Sequence, residues 1–373
     1  MVEWKSIGEI SSNVFAGGTP STKHEEYYDG DIPWIRSGEI DFNVITKAER
    51  NITTAGYENS SAKLIRKGSV VMAMTGATVA KSAIVDFETT ANQSVCAIET
   101  VESIVNYKFV FYSLAKDYFK IRSSAQGALT SLNLAMIKQL QIPIPSLSEQ
   151  SRIVSILDTF TSSISNLKQQ IEERRKQYEY ERDLLLDLEG KEGVEMKKLG
   201  DFAEIGTGSS NTQDELESGR YPFFVRSQIV KWKDDYEFDE IAIITSGDGV
   251  GVGKVLHYYE GKYALHQRAY RIHVENDSIV PKFIFYFMQK DFYWYIMSNA
   301  YAASVTSVRR PMLINYPIPI PPLSTQSRIV SILDTFEQSI SNLEEQLAMR
   351  EKQYEYYRNQ LLTFEGEEER GKT

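Results

Sequence analysis

The sequence predicts an α+β protein: two globular mixed α/β domains, each followed by a long helix, with the two helices paired as an antiparallel coiled coil in an internal repeat. Three observations carry this. The stretch from Ile142 to Gly190 returns as Ile318 to Gly366 at an offset of 176, with about 34 of 49 positions identical, a self-similarity that marks repeat architecture. Apolar residues within each copy step by four and three: Ile153, Leu157, Phe160, Ile164, Leu167, Ile171, then Tyr178 and Leu185 in the first. The second gives Ile329, Leu333, Phe336, Ile340, Leu343, Leu347, then Tyr354, Tyr357 and Leu361, the period of a coiled-coil seam. The segments before each copy also resemble one another, so the plan is globular–helix–globular–helix.

With 373 residues, the chain is long enough for two or more domains. The resulting division is 1–147 for the first globular domain, 148–190 for its helix, 191–323 for the second domain, 324–366 for the second helix, and a tail of 367–373. No apolar stretch approaches a membrane span, and the start Met1-Val2-Glu3-Trp4-Lys5 lacks a signal-peptide layout. The single cysteine, Cys96, leaves no internal disulfide, which fits a reducing, cytoplasmic setting. With four scattered histidines (His24, His257, His266, His273), it offers no metal cluster.

A net charge of −10 argues at first against nucleic acid. Its distribution changes that reading. Residues 1–145 carry 14 bases and 15 acids, and 193–322 carry 14 and 16, while the helical segments and tail hold the remaining 13 and 20. The globular domains are near neutral, so a basic face on each is open to them.

In the first domain, Ser69–Met74 and Ser94–Ile98 read as buried strands and Tyr107–Phe119 as a helix. Ile142-Pro-Ile-Pro is an exit strand or linker, since proline cannot continue a helix. Ser148 and Ser324 are expected N-caps, and Gly190 and Gly366 expected C-terminal caps. Each helix of about 40 residues spans roughly 60 Å. Antiparallel pairing then holds two heads a fixed distance apart, because parallel pairing would force the chain back along the whole length.

The second domain repeats the first more loosely. Lys5-Ser-Ile-Gly-Glu returns as Lys197-Lys-Leu-Gly-Asp, and Pro33-Trp-Ile-Arg-Ser as Pro222-Phe-Phe-Val-Arg-Ser. Val71–Val85 returns as Ala242–Leu256 with a slightly longer loop, Asn92-Gln as His266-Gln, an aromatic helix recurs at Lys282–Tyr295, and Thr130-Ser-Leu returns as Thr306-Ser-Val.

These motifs resemble the specificity (S) subunits of Type I restriction–modification systems. The resemblance covers nearly the whole chain. It rests on the KxxGE-like opening of each domain (Lys5–Glu9, and more weakly Lys197–Asp201), the closing IPxP segments, and PxLxxQxxIVxxLD at Pro145–Asp158 and Pro321–Asp334. It implies a non-catalytic reader of double-stranded DNA in which each domain takes one half of an asymmetric two-part site. The helices would set the gap and dock two methyltransferase subunits, and restriction subunits would join. S-adenosylmethionine, ATP and Mg are expected in those partners and no cofactor in this chain. The competing reading is a coiled-coil scaffold whose heads bind protein.

Catalytic motifs are missing. No Asn-Pro-Pro-aromatic tetrad occurs, and Gly247-Asp-Gly-Val-Gly-Val-Gly-Lys-Val fails as a phosphate loop because Val255 follows the lysine. That glycine-rich stretch is a flexible turn, or a loop whose small residues let backbone approach phosphates. The equivalent Thr75-Gly-Ala-Thr-Val-Ala-Lys favours the latter. Lys81 and Lys254 are candidate phosphate contacts, set against solvated lysines. Thr75, Thr78 and Ser246 belong to the same loops. Arg36 and Arg226, beside Ser37 and Ser227, suit guanine readout or a structural ion pair. Gln93 and Gln267 suit adenine, although a buried glutamine completing a turn is the better reading. Arg268, Arg309 and Arg310 complete the candidate DNA face, and the tyrosine-rich runs Tyr27-Tyr28, Tyr258-Tyr259 and Tyr293-Trp-Tyr are assigned to core or hinge. On the helices, Arg174 and Arg350 fall at seam positions in both copies. A polar seam layer there can set helix register, neutralised by Glu173, Glu179 or Glu355.

Overall fold

The computed structural model describes residues 2–125, 131–299 and 307–364. Two compact units emerge, one comprising Met1–Asn166 with Gln346–Thr373 and the other Leu167–Glu345. Each unit contains a globular head and parts of both long helices. The Thr130 and Thr306 repeats, Gly366 and the 367–373 tail lie outside the described residues.

In the first unit, Glu3–Ser6 pairs antiparallel with Gln141–Ile144, placing Lys5 opposite Ile142 and Trp4 opposite Pro143. Pro143 thus sits in a two-stranded ribbon that leaves its missing donor harmless. Glu9 accepts from the Ser6 N–H at 2.7 Å in a capping box that opens a short helix at Ile7. A five-stranded sheet runs in the order Ser11–Ala16, Val95–Thr100, Val70–Ala73, Ser82–Val85, Val44–Ile45. A three-stranded sheet holds Arg50–Ile52, Tyr28–Ile35 and Thr90–Ala91. The helix Tyr107–Lys116 is capped by the Asn106 side chain and buries Phe109, Val110 and Leu114 against Val70, Met72 and Ile98.

The second unit repeats the plan. Glu195–Lys198 pairs with Pro317–Ile320, with Lys197 opposite Ile318. Asp201 reaches back to the Lys198 N–H at 3.0 Å. Gly200 is required here, because a Cβ would lie 2.7 Å from Ile314 Cγ2. Six strands follow the order Ala203–Thr207, Ala269–Val274, Phe238–Ser246, Leu256–Leu265, Tyr221–Phe224, Lys231–Lys233. The helix Pro281–Asn299 packs Phe283, Ile284 and Phe292 onto Ile243 and Ile272.

The long helices run Leu147–Leu185 and Leu323–Leu362. They start two residues earlier than caps at Ser148 and Ser324 would give, so both serines lie inside the helices. Ser146 supplies the first cap, accepting from the Glu149 N–H at 3.3 Å. Gly190 lies beyond the helix end, with φ of 73°, in the connecting turn instead of at a cap. In the first unit Ile153 and Leu157 share a core with Leu362 and Tyr354, and Phe160 stacks on Tyr357 at 5.3 Å. In the second, Ile329 and Leu333 share a core with Leu186 and Tyr178. Early residues of one helix meet late residues of the other in both units, so the pairing is antiparallel in each.

Arg174 and Arg350 are half-buried at the seam, as the pattern requires, but their counter-group is aromatic. The Arg174 guanidinium lies 5.8 Å from the Phe336 ring, and Arg350 lies 5.7 Å from Phe160. Both pairs obey the same offset of 176. These cation–π contacts stand where Glu173, Glu179 or Glu355 had been expected.

The connection between head and helix is polar and duplicated. Gln150 is fully buried. Its Oε1 accepts from the Asn106 N–H at 2.8 Å, and its Nε2 donates to Pro145 O at 2.9 Å and Ile104 O at 3.2 Å. Gln326 does the same with Val280 N–H at 2.9 Å, Pro321 O at 2.9 Å and Ser278 O at 3.2 Å. Two turns on, Asp158 accepts from Tyr112 at 2.7 Å and Lys108 at 2.5 Å, and Asp334 from Tyr286 at 2.6 Å and Lys282 at 2.8 Å.

Replacing Gln150 by Leu leaves a buried N–H and two carbonyls without partners. Chemical denaturation is expected to show the first unit destabilised by about 2–4 kcal/mol, with Gln326→Leu doing the same to the second. A change below ~0.5 kcal/mol would show that water satisfies those groups.

Candidate nucleic-acid interface

Both heads present the same loop. In the first, residues 74–81 leave the strand Val70–Ala73; in the second, residues 247–254 leave Phe238–Ser246. Strand register pairs Ala73 with Val95 and Ser246 with Ala269, which aligns the loops at an offset of 173. The loops match residue for residue up to Lys81 and Lys254. The second then has one further residue, Val255, because Met72 pairs with Ser82 but Thr245 pairs with Leu256, so the slightly longer second loop expected from sequence is present.

Their hydrogen bonds coincide. The Met74 N–H bonds Ser94 O at 2.8 Å and the Gly247 N–H bonds Arg268 O at 2.8 Å. Val79 N–H to Gly76 O and Val252 N–H to Gly249 O are both 3.2 Å. Leu132 and Val308 donate to Met74 O and Gly247 O at 2.8 and 2.9 Å. Dihedrals coincide too: φ is 81° at Gly76 and 83° at Gly249, then 68° at Ala80 and 71° at Gly253. A non-glycine residue in the left-handed region at Ala80 is strained, so this backbone is built rather than floppy.

Around the first loop, Thr78 Oγ1 donates to Ser37 O at 2.8 Å, Lys81 Nζ to Asp41 at 2.5 Å, and Arg36 Nη2 to Glu49 at 2.5 Å. Arg36, Ser37, Thr78 and Lys81 are thus gathered at one edge, with Thr75 half-exposed beside them. Around the second, Arg226 donates to Asp248 at 2.6 Å and Arg268 to the other oxygen at 3.3 Å. Bonding by Arg226 holds the Asp248 carboxyl below its ordinary value, with Arg268 adding to it. Lys254 is exposed, its ammonium 5.1 Å from the Tyr293 ring. Ser227 Oγ donates to Ile229 O at 3.0 Å. Arg309 and Arg310 are exposed at the start of a short helix that follows Val308.

Several sequence expectations change. Ser246 is fully buried, and its hydroxyl donates to Asp248 O at 2.7 Å; it shapes the loop and cannot touch DNA. Gln93 and Gln267 are exposed, not buried in turns. Gln93 accepts from Thr19, and Gln267 donates to Asn211; Thr19 and Asn211 are themselves equivalent at the offset of the KxxGE motif. Arg36 and Arg226 are not register equivalents. Ile35 pairs with Ala91 and Phe224 with Leu265, which places Val225 opposite Arg36 and moves the second arginine one residue onward. Trp294 is exposed rather than core.

Sequence reasoning passed over Gln150, Gln326, Asp158, Asp334 and Asp248. The first four lie in or beside the run identical in both copies, which was the available signal; nothing local marked Asp248. Cys96 is buried and its thiol is pushed up to about 12 by that burial, so it is no nucleophile. Among the described residues no helix is long and apolar enough to cross a membrane and no His/Cys/Asp/Glu cluster could hold a metal.

The comparisons agree with this architecture. The family model for the Type I restriction modification DNA specificity domain matches residues 1–174 and again 191–349, and the chain belongs to that family. It is 35% identical over 204 residues to the EcoR124I/EcoR124II type I restriction enzyme specificity subunit of Escherichia coli, covering 52% of this chain and 50% of that protein. It is 30% identical to the MjaIX specificity subunit of Methanocaldococcus jannaschii, covering 61% and 57%. The chain therefore spans about half the length of these two relatives. A Haemophilus influenzae chain named "putative type I restriction enzyme specificity subunit" is 27% identical over 97% of this chain and 96% of its own. The crystal structure of the S subunit of an M. genitalium Type I restriction–modification system shares the fold, with a TM-score of 0.68 at 16% identity over 98% of this chain and 96% of that one.

Two measurements check the loop. Ala80→Gly relieves the left-handed strain and is expected to raise stability by about 0.5–1 kcal/mol; a loss would show the site is not strained. The Asp248 pair stabilises fully above the ordinary aspartate value of 3.8, and that contribution is lost as pH falls through the lower folded value. Asp248→Asn should flatten this acid-side part of the stability profile, and an unchanged profile would show that the pair adds nothing.

Proposed function

We propose that this chain is the DNA-specificity subunit of a Type I restriction–modification complex. Each head reads one half of a two-part site in double-stranded DNA, and the paired helices set the gap. One observation carries this: two loops that match in backbone as far as their lysines bear different side chains, as two readers of different half-sites require. The chain does no chemistry of its own. Two methyltransferase subunits bring S-adenosylmethionine, restriction subunits bring ATP and Mg, and the complex works in the cytoplasm.

Docking on the helices explains why exposed positions stayed identical. Ser151, Arg152, Ser155 and Thr159 are exposed and match exposed Ser327, Arg328, Ser331 and Thr335. Tyr180 is 67% exposed and its counterpart Tyr356 60%. The threonine hydroxyls bond carbonyls one turn back, but none of these side chains is buried in a core of this chain. A partner that binds in two copies accounts for these identities, and anchoring tyrosines suit it.

A band shift with the methyltransferase subunit present should depend on a two-part DNA site; no binding at any salt below physiological would refute the reading. Tyr180→Ala with Tyr356→Ala should weaken methyltransferase association at least about tenfold without lowering the melting temperature. Unaltered association would place docking elsewhere. Arg174→Leu with Arg350→Leu should change the preferred DNA gap, and higher stability with an unchanged gap would reject the register role.

A further inference from the structure

Up to Lys81 and Lys254 the two loops share the turn hydrogen bonds and the left-handed dihedrals, so at these positions the difference between the heads is carried by side chains. Comparing register equivalents isolates the differences. Lys81 and Lys254 are the same residue type. Thr75 stands where Asp248 does, and Ser94 where Arg268 does. Both positions lie at the loop base, held by the shared bonds from Met74 to Ser94 and from Gly247 to Arg268.

In the second head these positions form a cluster the first head lacks. Asp248 holds Arg226 at 2.6 Å by one oxygen and Arg268 at 3.3 Å by the other. Arg268 stays 60% exposed in its side chain while Asp248 is 24% exposed. The carboxylate is fixed through its own backbone, since Ser246 Oγ donates to Asp248 O and Val308 N–H bonds the preceding Gly247 carbonyl. A guanidinium held at one edge by a fixed acid still presents its remaining donors outward, the geometry for two parallel bonds to guanine O6 and N7. Thr75 and Ser94 offer short hydroxyls that reach either base type and discriminate through different contacts.

Resting on the reading of the heads as DNA readers, we infer that the 75/248 and 94/268 positions determine which bases each head recognises. Arg268 reads guanine in the second half-site, and Asp248 is the positioning residue that orients it. Lys81 and Lys254, common to both heads, supply the sequence-independent part.

The test uses the complete complex with its methyltransferase subunits and a randomised two-part DNA library. Asp248→Thr with Arg268→Ser should lower guanine preference at one position or two of the second half-site by about 10- to 100-fold. The first half-site and the gap should be unchanged, which also reports that the chain has folded. Thr75→Asp with Ser94→Arg should shift only the first half-site. Asp248→Asn alone should reduce the same guanine preference while leaving the salt dependence of binding as it was, which a lost phosphate contact would not. Unaltered preference in both double variants overturns the inference. A wild-type complex with no two-part preference overturns the underlying reading instead, so the two failures are distinct.

Discussion

The structure depends on a buried glutamine used twice. A side-chain amide with all of its hydrogen bonds spent on backbone can join two elements only at one angle. Gln150 ties the start of the first long helix to the start of the Tyr107–Lys116 helix, and Gln326 ties the second to Pro281–Asn299. A hydrophobic contact at the same place would tolerate sliding; an amide caught between an N–H and two carbonyls does not. The tyrosine and lysine that converge on Asp158, and again on Asp334, add a second fixed point along each helix. Burial pushes the Tyr112 and Tyr286 hydroxyls well above the ordinary tyrosine range, so both remain donors.

That rigidity gives the repeated sequence its meaning. Gln150 to Phe160 returns unchanged as Gln326 to Phe336 because one stretch must satisfy a head on one side and a helix partner on the other. Phe160 and Phe336 each receive an arginine from the opposing helix. The heads carry no such double constraint outside their cores. They keep the ribbon, a glycine approached closely by a neighbouring residue (Gly8 by Lys138, Gly200 by Ile314), and the first part of the loop backbone, while side chains at the loop base diverge.

The architecture was legible because it is written in periods: the seam spacing, the offset of 176 and the prolines of the exit strand. The first helix cap was misplaced by two residues because Ser146 and Ser148 are both good caps, and only backbone geometry separates them. The interface was only partly legible. Lys81 and Lys254 recur at matching loop ends, and the structure puts them there. Ser246 looked like a surface hydroxyl but ends a buried strand, a distinction of one residue in register. The acids that hold Arg36, Lys81 and Arg226 come from elsewhere in the chain, Glu49, Asp41 and Asp248. Sequence spacing has no means of announcing such partners.

The central claim is that two heads, each fixed to the start of its own long helix, read two different half-sites. Mapping methylated adenines in a genome that carries this chain with its methyltransferase partner tests it most directly. The account predicts one asymmetric motif with two specified halves and a constant unread gap. Methylation at a continuous motif, or at two halves with a variable gap, would contradict it.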